Sequence, residues 1–159
     1  MVQRLRWSLL AVVVVGVLLT GGTSAVAATS QVPFGAVFAG SATSTGPATS
    51  AFVGTGIALW LGRITTHGSA QATGISGSCA GIANVNTETL TARNGDALTL
   101  VSNDVACPIG PGQYHGIGHW NVIGGTGRFA HATGAGSLDG YSDFIAGKFA
   151  VTLIGSIAY

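Results

Sequence analysis

The chain has 159 residues, of which 7% are charged and 26 are glycine, and its formal net charge is +1. That excludes disorder, which needs high charge and low hydrophobicity, Gly-poor heptad bundles, collagen with its strict Gly period, and charge-driven nucleic-acid binding. What remains is a small Gly-rich β-protein, exported or membrane-linked.

Taken in chain order, the first segment is a targeting signal. Arg4 and Arg6 precede the apolar run SLLAVVVVGVLL, which leads to Gly21, Gly22 and the small-residue triplet Ala25-Val26-Ala27. A positive region, an apolar core and an A-x-A site are the parts of a secretory signal peptide. The run is shorter than the roughly 20 residues of a membrane-spanning helix, so residues 1–27 are read as a signal cleaved after Ala27, the alternative being an uncleaved anchor. Cleavage leaves four basic residues (Arg63, Arg93, Arg128, Lys148) against five acidic ones (Glu88, Asp96, Asp104, Asp139, Asp143). The exported product is expected to be extracellular and free of the membrane.

Residues 28–33 read as a short flexible leader and 34–159 as one domain. Alternation with period two, the strand signal, runs through Phe34, Ala36, Phe38 and Gly40 and returns at Phe149, Val151, Leu153, Gly155, Ile157 and Tyr159. Between them strands are expected near 54–61, 64–73, 82–91, 96–102, 113–123 and 128–138. Turns are expected at Arg93–Asp96, Pro108–Gly112, Gly124–Gly127 and Asp143–Gly147. Eight strands with short connections fit an all-β, eight-stranded antiparallel up-and-down barrel, the alternative being a two-sheet sandwich. Dense Gly favours the barrel, because Gly is tolerated where a sheet bends sharply. Closure also removes edges that a nearly uncharged chain cannot guard with Lys.

Cys79 and Cys107 are the two cysteines. In an exported chain a pair of this kind reads as one disulfide, here expected to staple two loops at one end of the fold. A catalytic thiol finds no neighbour to depress its pKa, and no Cys/His spacing points to zinc.

The stretch Gly124-Gly125-Thr126-Gly127-Arg128-Phe129-Ala130, continuing to Thr133-Gly134-Ala135-Gly136, resembles the G-G-T-G-x-F-x-x-A-x-G signature of the allene oxide cyclase/dirigent-like barrel superfamily. Thr87–Thr91 followed by Asn94-Gly95-Asp96, and Gly116-x-Gly118-x-Trp120 ahead of the motif, are similar to strings in secreted bacterial proteins of that type. The Phe149–Tyr159 ending is similar as well. The resemblance implies an eight-stranded barrel with an apolar cavity and, in some members, cyclisation of a confined substrate. The site motifs of those enzymes do not match here, so no catalytic residue carries over.

Gly125–Ala130 also fits the dinucleotide pattern G-x-G-x-x-A, but that pattern needs a following helix. Gly134 and Gly136 argue instead for a tight turn entering a strand. His115 and His119 would share a face of a strand about 13 Å apart, too far to chelate one ion, and no metal or cofactor is expected. One row of strand 113–123 is Tyr114, Gly116, Gly118, Trp120 and Val122, and the other includes His115, Ile117, His119 and Asn121. The second row mixes polar and apolar groups as a ligand-binding lumen does, while the first, with two Gly between aromatics, fits a closely packed interior equally well. The second row is named here as the candidate ligand-binding set together with Trp60, which, like Trp120, reads as barrel fill. His67 and His131, near strand starts, read as surface residues, the alternative being a place at the barrel mouth, and Asp139 and Asp143, around Tyr141 beyond the seventh strand, read as turn acids, the alternative being a paired-carboxylate acid/base role.

Three functions follow: a non-catalytic barrel binding a small apolar molecule, a cyclase or isomerase acting by confinement, and a structural or self-associating exported protein, with a homodimer or trimer left open. An open lumen above roughly 300 Å³ favours the first two, and a titratable group in it with a perturbed pKa favours the enzyme. The scarcity of charge is read as leaving little acid/base chemistry available.

Overall fold

In the computed structural model, residues 30–159 are described. The signal peptide expected at residues 1–27 lies outside them. Eight antiparallel strands form a closed barrel in chain order: β1 (Val32–Gly46), β2 (Thr49–Ala58), β3 (Gly62–Ser76), β4 (Gly81–Ala92), β5 (Ala97–Gly110), β6 (Gln113–Thr126), β7 (Thr133–Asp143) and β8 (Lys148–Ala158). β1 closes the barrel on β8, with Phe38 opposite Val151. The expected barrel is therefore present and the sandwich is not.

Three local expectations are corrected. The strand read at 128–138 starts at Thr133, because Gly127–Phe129 forms a 3-10 turn. The turn read at Pro108–Gly112 shrinks to two residues, since β5 runs on to Gly110. Val32 and Pro33, read as leader, belong to β1, where they pair with Ile157 and Ser156.

The inward rows explain why the barrel needs so much glycine. Five large aromatics that the strands turn inward stand opposite a glycine on a neighbouring strand: Phe38 opposite Gly56, Phe52 opposite Gly68, Trp120 opposite Gly136, and Phe34 and Phe149 opposite Gly155 and Gly40. An eight-stranded barrel has room for only a limited fill of side chains, so the position facing a large ring is left without a side chain. The Trp120 indole spans two strands. A Cβ on Gly136 would stand 2.6 Å from its Cζ2, and one on Gly155 2.7 Å from the same atom. Beyond them Phe34 meets the indole edge-on at 5.5 Å, and Trp120 Nε1 donates to Ser137 O at 3.0 Å.

The interior is packed at one end. Phe34, Phe38, Leu90, Leu98, Leu100, Trp120, Phe129, Leu153 and Ile157 are almost wholly buried there. Phe129 closes that end as a plug. It is delivered by the turn at Gly127 (φ +59°), where a Cβ would collide with the Asp96 carboxylate. Arg128 then reaches Asp96 with Nε to Oδ2 at 3.3 Å. The Gly124–Phe129 motif is thus a strand end and a plug-bearing turn with no dinucleotide-type helix after it.

Toward the other end the inward residues become small: Ala42 on β1, Ala70 and Ala72 on β3, Ala106 on β5, Gly116 on β6 and Gly140 on β7. That taper leaves a cup open at the end of the β1–β2, β3–β4, β5–β6 and β7–β8 turns. Cys79 and Cys107 are bonded, with their Cα atoms 5.7 Å apart, so neither is a free thiol. Cys79 lies in the β3–β4 turn, but Cys107 lies within β5, opposite His115. The bridge therefore ties a turn to a strand rather than two loops. Disulfides of this kind persist in oxidising compartments.

Candidate functional site

The cup has a volume of about 440 Å³, within the usual range for small-molecule sites. Its two walls differ. On one side Phe38, Phe52, Phe149, Val151 and Leu138 form an apolar surface, in which Phe149 meets Phe52 at 5.4 Å and Phe38 at 6.2 Å, both edge-on. On the other side β4 and β5 supply Asn84, Asn86, Glu88, Ser102 and Asp104. Alternation puts Asn84, Asn86, Glu88 and Leu90 on one face of β4, and pairing brings Ser102 and Asp104 of β5 opposite Asn86 and Asn84.

These polar groups form one network. Asn86 Nδ2 donates to Asp104 Oδ1 at 2.7 Å and to Ser102 Oγ at 3.2 Å. Asn84 Nδ2 donates to Asp104 Oδ2 at 3.2 Å and to Ile82 O at 3.3 Å. Glu88 lies deeper, 3% exposed, and among the described residues its Oε1 has no hydrogen-bond partner. Burial pushes its carboxyl up to about 7, with a further push from the Asp104 charge. Burial also raises the Asp104 carboxyl, against the lowering effect of the Asn86 and Asn84 hydrogen bonds. Two carboxyls in a low-dielectric cup resist ionising, and a buried oxygen without a partner is costly unless something else reaches it.

At the mouth, Phe144 of the β7–β8 turn packs on Tyr114, ring centroids 4.8 Å apart. Its N–H donates to Gly112 O of the β5–β6 turn at 2.8 Å. The same turn is tied to β1 by Ala42 N–H donating to Gly147 O at 3.0 Å.

The residues named from sequence lie elsewhere. His115, Ile117, His119 and Asn121 are on the outer face of β6, with Ile117 60% exposed. The lumen belongs to the other row of that strand, Tyr114 to Val122, because only its two glycines and Trp120 fit the packed interior. His115 forms an outer cluster instead, hydrogen-bonded through Nε2 to Asp139 Oδ2 at 3.0 Å and stacked on Tyr141 at 4.5 Å. Asp139 and Tyr141 are thus strand residues of β7 rather than turn acids, while Asp143 ends the strand. Trp60 is outside the barrel fill. It sits in the β2–β3 turn at φ +70°, donates from Nε1 to Pro33 O at 2.8 Å and packs near Tyr159 at the closed end. Trp120 is barrel fill as expected. His67 is exposed in the middle of β3, and His131 is exposed beside the plug.

Glu88 and Asp104 are the functional candidates missed in sequence. The signal was present: the β4 alternation that places Leu90 inside places Glu88, Asn86 and Asn84 inside as well. Among the described residues no group of three His, Cys, Asp or Glu side chains is arranged to hold a metal ion. No protein-family model matches the chain, and no curated protein matches it.

Proposed function

We propose that this protein is an exported small-molecule-binding barrel. Its ligand carries an apolar body against Phe38, Phe52 and Phe149 and a polar head that reaches the Glu88–Asp104 floor. One observation carries the reading: a cup of about 440 Å³, open at one end, ends on a buried carboxyl oxygen with no hydrogen-bond partner among the described residues. The signal-like sequence of residues 1–27 and the disulfide support export, and the resemblance of the Gly124–Phe129 motif supports kinship with the allene oxide cyclase/dirigent-like barrels.

A second reading, an isomerase or cyclase, is favoured by Glu88. A carboxyl near 7 holds and releases a proton with similar ease at neutral pH, as general acid/base catalysis requires. The test of occupancy is native mass spectrometry of the protein purified from the organism that encodes it, beside Ala70→Trp, which fills the cup from β3. A stoichiometric small-molecule adduct in the wild type and none in A70W is expected. An adduct retained by A70W overturns the assignment to the cup. A ligand recovered chemically altered after incubation selects the enzyme over the binder.

A further inference from the structure

The polar floor of the cup is unbalanced in two ways, and both point to the same ligand chemistry. The first is charge. Among the described residues, two carboxyls, Glu88 and Asp104, stand on the floor of the cup and a third, Asp143, at its mouth, where Lys148 is the only basic side chain along the wall. The second is hydrogen-bonding capacity. An amide nitrogen has two protons to give. Those of Asn86 go to Asp104 and Ser102, and those of Asn84 to Asp104 and Ile82 O. The amide donors are therefore spent inside the protein. Oxygen acceptors remain: the unpartnered Glu88 Oε1 and the spare lone pairs of Asp104 and of the two amide carbonyls.

A floor that accepts but scarcely donates, and that is acidic without a counter-ion, is complementary to a group with several donors, no acceptor and a positive charge. An alkylammonium has that composition. Once Glu88 is ionised, an alcohol supplies one donor and its oxygen finds only the Ser102 hydroxyl proton on the floor, and a carboxylate adds negative charge to a floor already acidic. The opposite wall suits such a ligand as well, since the faces of aromatic rings attract a nearby cation and Phe52 and Phe149 bury its hydrocarbon part. Resting on the reading of the cup as a ligand site, we propose that the ligand is an amine with an aromatic or branched apolar body, bound as the ammonium to Glu88 and Asp104.

The test compares three probes with one body: 3-phenylpropylamine, 3-phenylpropan-1-ol and 3-phenylpropanoate. Each is titrated into the full chain at pH 8 and pH 5.5 and followed by backbone amide NMR shifts at Asn84, Asn86 and Asp104. The amine is expected to bind at least tenfold more tightly than the alcohol at pH 8, and the carboxylate least. The preference is expected to shrink at pH 5.5, as Glu88 and Asp104 take up protons. Tyr141, Asp143 and Lys148 at the mouth are the other titratable groups along the cup. In E88Q the amine should lose its advantage while the alcohol binds within about twofold of its wild-type affinity, and D104N should act in the same direction. If E88Q does not fold, the wild-type probe ranking and its pH dependence still decide. Alcohol binding as tightly as amine at pH 8 overturns the amine assignment and leaves the cup as a ligand site. No shift at the floor with any probe overturns both.

Discussion

Glu88 should make this barrel less stable as the pH rises toward neutrality, and the size of the effect follows from its burial. The carboxyl stands at about 7 in the folded protein against an ordinary 4.5. Below about 4.5 it is protonated in both states and costs nothing. Between 4.5 and 7 the folded state holds the proton that the unfolded state has released, so stability falls as pH rises. Above 7 both states are ionised and the full cost is present. A shift of this size corresponds to about 3 kcal/mol, at ~1.36 kcal/mol per pH unit. Asp104, raised by the same burial, acts with the same sign. Urea unfolding with the disulfide intact, at pH 5, 6, 7 and 8, should show the wild-type midpoint falling by roughly 1–3 M, for an m-value of roughly 1–3 kcal/mol/M. In E88Q most of that slope should vanish, leaving the variant the more stable protein at pH 8. A wild-type midpoint that does not fall over this range, or an E88Q series parallel to the wild type, refutes the reasoning.

Three further outcomes are expected. Gly155→Ala should destabilise by roughly 1–3 kcal/mol or more through overpacking, since its Cβ would collide with the Ala135 carbonyl and press on the Trp120 indole, and near-ultraviolet circular dichroism should report the displaced ring. Replacing Cys79 and Cys107 together by Ser should cost roughly 3–4 kcal/mol by the loop-entropy estimate for the closed loop, whose ends are 28 residues apart; thermal melts of the variant and the reduced wild type should then agree. Phe129→Ala should cost roughly 3–5 kcal/mol and open the closed end, detectable as faster hydrogen exchange at the Leu98 and Ile157 amides, while Ala130→Ser beside it changes little.

The strands were legible because a barrel wall has one apolar face, and period two survives even in a chain this rich in glycine. Boundaries failed where local signals misled. Gly127-Arg128-Phe129 looks like the opening of a strand, yet its three residues turn inward to bury Phe129. Pro108 looks like a turn, yet the end of β5 tolerates it opposite Tyr114. The candidate site failed for a different reason. On β6 one row mixes polar and apolar residues and the other sets two glycines between aromatics, and nothing local says that Gly116 and Gly118 are inside, where Asp104 stands against them. Trp60 was misplaced because an aromatic in a tight turn packs as readily on the outside, under a strand end, as in a lumen.

Composition and alternation were enough for the fold class, the number of strands and the cysteine pair, because each depends on neighbours along the chain or on a count. The few charges also pointed toward a protein that works by shape. Where those charges lie was settled by closure of the barrel. Glu88 and Asp104 come together only because β4 and β5 pair in one register, and they are costly only because the interior around them excludes water. The taper from Phe, Leu and Trp at one end to Ala and Gly at the other is likewise scattered over eight strands. Once the strands close into a ring, it becomes a cup with a plugged base, an aromatic wall and an acidic floor.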